Sequence, residues 1–371
     1  MDEDRLRQAR EQIGETDREM ARLFLKRMDA ARDIAAYKRE RGLPILDAAQ
    51  ERVVIERNLA YIDDDELRGL YVHFLKNMMD ISKTYQRRLT EGMRVAYSGV
   101  EGAFAHIAAR RIFPEGQTVS CIDFQAAYEA VEKGECDVCV LPVENSYAGE
   151  VGQVTDLMFN GTLHVTGMYA LPVTHHLLGL PGAELGGVKK VVSHPQALSQ
   201  CAGFIRRHGL EAVQASNTAR AAQFVVENGD ASLAAIASVE TAKLYGMKVL
   251  AQGINESGLN STRFAVFSRA ENRQAPAKAA GFMLLFTVNH VAGALAQAVS
   301  VIGQHGFNMR VLRSRPMKDL PWSYYFFAEM EGDDRDEAGQ SMLSALKEHC
   351  NVLKVVGRFG PEISLKEAEE A

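Results

Sequence analysis

Long apolar runs are missing from this 371-residue chain: none reaches the roughly 18 residues of a membrane helix, so no helical span is expected. The start, Met1 to Arg5, is charged and lacks the apolar core of a secretory signal, which points to a cytoplasmic protein. Cysteine is scarce as well. The five present are an odd number without disulfide spacing, in keeping with a reducing compartment. Cys136 and Cys139 form a CxxC, but they open a strand-like run in which residues three apart point to opposite faces, which argues against a shared metal. His194 has no second ligand at metal spacing, and no metal is expected. There is no basic excess: a net charge of -6 removes the general electrostatic reason to expect nucleic acid, and a small anionic substrate would need local basic groups. Nor does a third glycine stand in register after Gly99 and Gly102, which excludes a dinucleotide loop there and leaves no cofactor to expect.

What is present divides the chain. Its length suggests two or three domains, and a hydrophobic fraction of 47% suggests well-packed ones. Of the first 90 residues 36 are charged, against 54 in the remaining 281, and that shift marks a boundary. Apolar positions recur every seven residues at Leu6, Ile13 and Met20, and no proline interrupts before Pro44. The pattern predicts one helix of about 38 residues, roughly 57 Å long, too long for a ninety-residue domain to cover, so a homodimer or higher oligomer is expected. Two further helices are predicted, from about Asp47 to Ala60 and from about Asp64 to Leu89. Arg27 and Lys38 share a face of the long helix about 16 Å apart, near enough to grip one ligand between them. Arg10 lies about 25 Å from Arg27 and out of its reach, but an antiparallel partner helix would present it. Ser82 and Gln86 lie on one face of the last helix. A solvated, salt-bridged surface is the alternative reading.

The set Arg10, Arg27, Lys38, Asp47, Glu51, Ser82 and Gln86 resembles the helical chorismate mutase domain of the aroQ class. The resemblance implies an intertwined helical dimer in which Arg10 of one chain completes the other's site. The chemistry fits, because rearrangement of the chorismate dianion to prephenate needs no nucleophile or metal, only cations for two carboxylates and donors at the breaking ether oxygen. Lys38 and Gln86 are the candidates for that oxygen. Gln50 stands where the family usually has Arg, and Asp47 to Gln50 also reads as a capping box.

After Gly92 strands and helices alternate, which predicts largely parallel sheets, in two small lobes. The run from Val138, stopped by Pro142, delivers Glu144, Asn145 and Ser146 into a turn at Gly149, where an open α/β sheet puts its ligands. Ser193 to Cys201, Ser216 to Thr218, and Asn260 to Phe264 sit at the ends of other elements. Helix capping is the competing reading of each. Together these clusters, with Glu144-Asn145-Ser146, Ser193-His194-Pro195-Gln196, Gln200, Ser216-Asn217-Thr218 and Thr262-Arg263-Phe264, resemble prephenate dehydratase across residues 93–268. That resemblance implies two lobes of periplasmic-binding-protein type with the site between them. It makes Thr262 the donor to the departing ring hydroxyl and Arg263 a carboxylate or cleft anchor. Glu144 supplies protons to Thr262 or only orients it, and Asn145, Ser193 and Gln200 are positioning residues.

Glu271 to Ala280 is polar, contains Pro276, and reads as a linker. The order strand, helix, strand, strand, helix, strand follows, as in a ferredoxin-like unit. Gly293-Ala294-Leu295 and Arg313-Ser314-Arg315-Pro316 resemble two elements of the ACT regulatory domain, which implies an amino-acid effector, L-phenylalanine; the second element usually starts with Glu where this chain has Arg313. The acidic tail after Pro361 is expected to fray. The expected architecture is therefore an all-α mutase domain (1–91), a two-lobed α/β dehydratase domain (93–270) and an α+β ACT domain (281–360), taking chorismate and prephenate as substrates. A non-catalytic sensor shares the two-lobed and ferredoxin-like folds, and a mutase fused to a dehydrogenase would need the nicotinamide loop that is missing.

Overall fold

A computed structural model describes residues 3–271, 280–318, 320 and 322–365, so most of the expected linker (272–279) and the end of the tail (366–371) lie outside the described residues. The chain forms two compact units, Met1–Met93 and Arg94–Ala371. No described helix is long and apolar enough to cross a membrane.

The first unit is three helices: α1 (Glu3–Arg41), α2 (Ala48–Leu59) and α3 (Asp65–Glu91). Each boundary has a local cause. α1 ends where Gly42 takes a positive φ and the Leu43 N–H turns back to the Lys38 carbonyl, while α2 and α3 begin under the carboxylates of Asp47 and Asp64. α1 packs on α3, and the residues buried are Met28, Ala31 and Ala35 in the second half of α1 and Leu75 and Met79 among those of α3. Along the first half, Leu6, Ile13, Met20 and Leu23 stay exposed.

In the second unit β1 (Arg94–Ser98), α4 (Phe104–Ile112), β2 (Gln117–Cys121), α5 (Phe124–Glu132) and β3 (Val138–Asn145) alternate, and the strands pair in parallel. β4 (Gly149–Glu150), α6 (Gly152–Asn160) and β5 (His164–Pro172) complete the outgoing path of this lobe. The chain then crosses into a second lobe built of β6 (His176–Gly179), β7 (Lys190–Ser193), α7 (Pro195–Gln200), α8 (Ala202–Arg207), β8 (Glu211–Gln214), α9 (Thr218–Asn228), β9 (Leu233–Ala237), α10 (Val239–Tyr245) and β10 (Lys248–Ala251). It returns as β11 (Ser261–Ser268), which inserts between β3 and β5 and runs antiparallel to both. Both lobes are therefore mixed rather than largely parallel: a strand that arrives directly from the other lobe, without a crossover helix, enters against its neighbours. Pro142 does not stop β3 either. The register slips between Arg263 and Phe264, so Val143 bulges and the strand continues to Asn145.

β12 (Gly281–Thr287), α11 (Ala294–Gln304), β13 (Met309–Pro316), β14 (Tyr324–Glu331), α12 (Glu337–Lys347) and β15 (Val352–Phe359) follow, then the short β16 (Ile363–Ser364). Their sheet does not stand apart. β15 lies beside β5, so near that any side chain at Gly357 would collide with the Val165 backbone. One apolar core runs through both regions, joining Leu141, Met158 and Phe267 to Met283, Tyr325 and Phe359. Lys354 adds a polar tie by donating to the carbonyls of Met158 (2.7 Å) and Gly161 (2.5 Å) at the end of α6, where the helix dipole favours a cation even though burial lowers the lysine pKa. Lys354→Met should leave those carbonyls uncompensated and destabilise this unit by about 1–3 kcal/mol, visible as a lower urea midpoint at unchanged m value.

Candidate active sites

A cleft of about 160 Å³ opens between the two lobes of the second unit. β3 and β11 bring Asn145 and Thr262 to it as direct cross-strand partners. The second lobe supplies His194, Gln196 and Gln200 from the turn into α7 and α7 itself, and Asn217 and Thr218 from the start of α9. Val173, His175 and Asn260 come from the two segments that cross between lobes, and Phe104 from the start of α4. The capping readings hold at the same time: Asn217 accepts from the Arg220 N–H (2.7 Å) and His194 Nδ1 from the Gln196 N–H (3.3 Å). Burial lowers the His194 pKa, which keeps that ring neutral at physiological pH.

The polarity around Thr262 follows from the backbone. Asn145 Oδ1 accepts from the N–H groups of Tyr147 (3.0 Å) and Ala148 (2.9 Å), so its Nδ2 is the atom that donates to Thr262 Oγ1 (2.9 Å). With its oxygen engaged as acceptor, the hydroxyl of Thr262 has its proton to give. No lysine or arginine stands among the described residues lining the cleft, contrary to the expectation of local basic groups. Neutral side-chain donors and the amide-rich starts of α4 and α9 are what an anion meets there.

Several residues expected at this site lie elsewhere. Side chains alternate along a strand, so with Asn145 and Thr262 in the cleft, Glu144 and its cross-strand partner Arg263 face the other way. Behind the sheet Arg263 binds Glu144 (3.2 Å), Glu329 by a two-point contact (2.8 and 2.9 Å) and Glu362 (2.6 Å), while Arg313 also pairs with Glu144. Burial opposes the Arg263 charge, but the carboxylates of Glu329 and Glu362 outweigh it and raise its pKa. Arg263 thus clamps the C-terminal sheet onto the strand that carries Thr262; it is no cleft anchor, and Glu144 does not reach Thr262 from the cleft side. Phe264 is a core residue, and Ser193 is fully buried with its hydroxyl on the Ile236 carbonyl (2.6 Å). Ser146 ties the end of β3 to the segment before β11, through Leu259 O (3.1 Å) and Ser261 N (3.0 Å). Ser216 lines a separate groove beside β8 with Arg220 and Phe224. His175, Val173 and Phe104 were not singled out from the sequence: two adjacent histidines after a strand and two apolar residues carry no spacing signal.

In the first unit, Arg27 donates to the Ser82 hydroxyl, which itself donates to Met78 O (2.9 Å). Gln86, one turn beyond Ser82, is buried with an Oε1 that has no hydrogen-bond partner among the described residues. Glu51 is bound by Lys83 (2.8 Å), a residue the sequence reading passed over, and Lys38 reaches Ile45 O (2.5 Å). The Asp47 carboxylate is occupied in capping α2 through the Gln50 N–H (2.9 Å), which supports the capping reading of that segment. Arg10 is exposed on the uncovered half of α1.

In the C-terminal sheet Gly293 has φ 83° and opens α11 with Ala294 and Leu295. Ser314 and Arg315 on β13 do not join them. Ser314 is exposed, and Arg315 is held by Asp156 (2.9 Å) beside the Tyr325 hydroxyl (2.7 Å), because β13 turns that edge toward α6.

A family model for prephenate dehydratase matches residues 95–272, and one for chorismate mutase type II matches residues 9–87. The bifunctional chorismate mutase/prephenate dehydratase of Aquifex aeolicus (strain VF5) is 30% identical over 370 residues, covering 98% of this chain and 99% of its own. Two solved structures align over 72% of the chain with a TM-score of 0.67 each. One is a prephenate dehydratase from Arthrobacter aurescens in complex with L-Phe, 25% identical and covered over 90% of its length. The other is GqqA, described as a novel type of quorum quenching acylase, 30% identical and covered over 97%. With two models meeting in one sequence, and a relative that matches nearly end to end carrying both activities, the chain belongs to the family of bifunctional chorismate mutase/prephenate dehydratases.

Proposed function

We propose that the interlobe cleft dehydrates and decarboxylates prephenate to phenylpyruvate with Thr262 as proton donor to the departing ring hydroxyl. The observation that carries this reading is the Asn145 Nδ2 bond to Thr262 Oγ1, which leaves the Thr262 proton available on the cleft side. Asn145, Gln200, Asn217 and Thr218 position the substrate. A cleft with no lysine or arginine among the described residues lining it suits the leaving carboxylate, since a cation there would hold the ground state that must depart as CO2. The acylase relative shows that this scaffold hosts other chemistry. Among the described residues neither cleft imidazole has a bond to a hydroxyl or thiol, however: His175 bonds Gln200 and His194 bonds the Gln196 amide, an arrangement that does not favour acyl transfer.

The helical unit rearranges chorismate to prephenate with Arg27, Lys38, Ser82 and Gln86 around the substrate, Glu51 beside them and Arg10 entering from a second chain. The exposed stripe Leu6, Ile13, Met20 and Leu23 supports a dimer, because a helix half with an apolar face uncovered in its own chain is stable when another chain covers it. Incubating the protein with chorismate and following both its loss and the appearance of phenylpyruvate tests the two activities at once. Turnover that stops at prephenate would remove the dehydratase reading.

The βαββαβ order with β15, β12, β14 and β13 adjacent in that sequence supports an ACT module. L-phenylalanine is the effector this reading assigns, held near Gly293 to Leu295, and the L-Phe complex of the Arthrobacter relative supports it. Arg313 engages Glu144 behind the catalytic strand, so effector binding that moves β13 would be felt at β3. Phenylalanine titration is expected to inhibit the dehydratase by about 5- to 150-fold and to leave an Arg313→Glu variant, which sets two carboxylates against each other, with a weaker response. Equal inhibition of both proteins would separate Arg313 from the regulation.

A further inference from the structure

We propose that His175 is a positioning residue of the dehydration site: in its neutral Nε2–H form it holds Gln200, together with Asn260, so that Gln200 Nε2 donates to an oxygen of the bound substrate. The assignment rests on the dehydratase reading of the cleft and on a chain of side chains whose polarity is set at one end. The amides of Tyr147 and Ala148 make Asn145 Oδ1 an acceptor and therefore Asn145 Nδ2 a donor, which gives one bond to Thr262 and another to Asn260 Oδ1 (3.0 Å). Asn260 must then donate through Nδ2, and it does so to Gln200 Oε1 (3.0 Å). That oxygen also faces His175 Nε2 (2.8 Å), and an amide oxygen only accepts, so the imidazole carries its proton on Nε2. Donation thus runs from Asn145 through Asn260 to Gln200 Oε1, where it meets the opposing donation from His175.

The chain stops at two atoms with no partner among the described residues, Gln200 Nε2 and His175 Nδ1. Both residues line the cleft, at 6% and 2% exposure. A purely structural pair would be expected to satisfy its buried donor, since leaving one unmade is destabilising. Here the free donor belongs to a side chain whose oxygen is held by two donors, Asn260 Nδ2 and His175 Nε2, and carboxylate or carbonyl oxygens of a small dianion are the acceptors that suit it. The ring is itself immobilised: Phe104 packs edge-on at 5.7 Å between centroids, and the His175 backbone N–H is held by Asn255 Oδ1 (2.6 Å). No carboxylate stands among the described residues lining the cleft, and His176 next in the chain adds a further push against protonation. Burial, the main cause, brings the His175 pKa down to about 4, consistent with a neutral ring.

The test uses the full-length protein labelled with 15N-histidine, with steady-state kinetics on prephenate and chorismate. The His175 ring should show a protonated Nε2 and an unprotonated Nδ1, without titration between about pH 6 and 8. His175→Phe keeps the ring's bulk but removes the donor; it should raise KM for prephenate about 10- to 100-fold with a smaller change in kcat, since a contact made to ground and transition states alike acts on KM. His175→Gln, whose amide can still donate to Gln200 Oε1, should recover most of the loss. Gln200→Glu should lose at least as much as His175→Phe, because a carboxylate accepts from Asn260 and His175 but cannot donate to the substrate. Chorismate turnover should be unchanged in all three. An unchanged prephenate KM in His175→Phe, a proton on Nδ1, or equal impairment of the Phe and Gln variants would overturn the proposal. A wild-type protein that forms no phenylpyruvate would instead remove the reading of the cleft on which it rests.

Discussion

Thr262→Ala is expected to slow phenylpyruvate formation by about 10²- to 10⁴-fold, the usual worth of a positioned proton donor, while chorismate is consumed at the wild-type rate. Departure of the ring hydroxyl as water needs a proton at the leaving oxygen, and Thr262 is the cleft hydroxyl whose own oxygen is already engaged, by Asn145 Nδ2 at 2.9 Å. Loss of the hydroxyl also leaves Asn145 Nδ2 with its remaining bonds to Asn260 and the Ser261 carbonyl, so the fold should survive. Thr262→Ser should retain much of the rate, and a Thr262→Ala protein with near-normal dehydratase turnover would dismiss the donor assignment. Because Arg263 points to the other face, Arg263→Ala predicts a different result. It releases Glu144, Glu329 and Glu362 from their shared cation and should show as lost stability of the second unit, with activity failing as the fold does.

Arg27→Ala should lower mutase turnover about 10²- to 10³-fold and leave dehydration of added prephenate intact. Arg27 is half-buried against Ser82 and Met78, and burial lowers its pKa, so this cation is held partly desolvated where a carboxylate would gain most from it. If Arg10 of a second chain completes each site, Arg10→Ala should be as damaging although it lies about 25 Å along the same helix. Mixed and re-associated Arg10→Ala and Arg27→Ala chains should then recover about a quarter of wild-type activity: half the dimers are mixed, and one of the two sites in each carries neither lesion. No recovery, despite mass-spectrometric proof of mixed dimers, would mean that each chain builds its site alone.

Periodicity and punctuation sufficed for what is local in this protein. The seven-residue apolar spacing and the absence of proline before Pro44 specify α1, Asp47 and Asp64 announce the next two helices, and the apolar run from Val138 is a strand. The pairing of Asn145 with Thr262 was legible only as a resemblance between two motifs more than a hundred residues apart. Which side of the sheet each motif residue faces was decided by tertiary structure. Insertion of β11 antiparallel between β3 and β5 sets the register, and a strand's two-residue period then sends Asn145 and Thr262 to the cleft but Glu144 and Arg263 to the C-terminal sheet. His175 stayed hidden for the same reason: its meaning lies in Gln200 and Asn260, brought to it from 25 and 85 positions away by two crossings between lobes. Sequence alone determined the elements and the chemical groups available, because helix and strand periods are local; only the fold decided which groups meet, because facing and register depend on partners that the local pattern does not name.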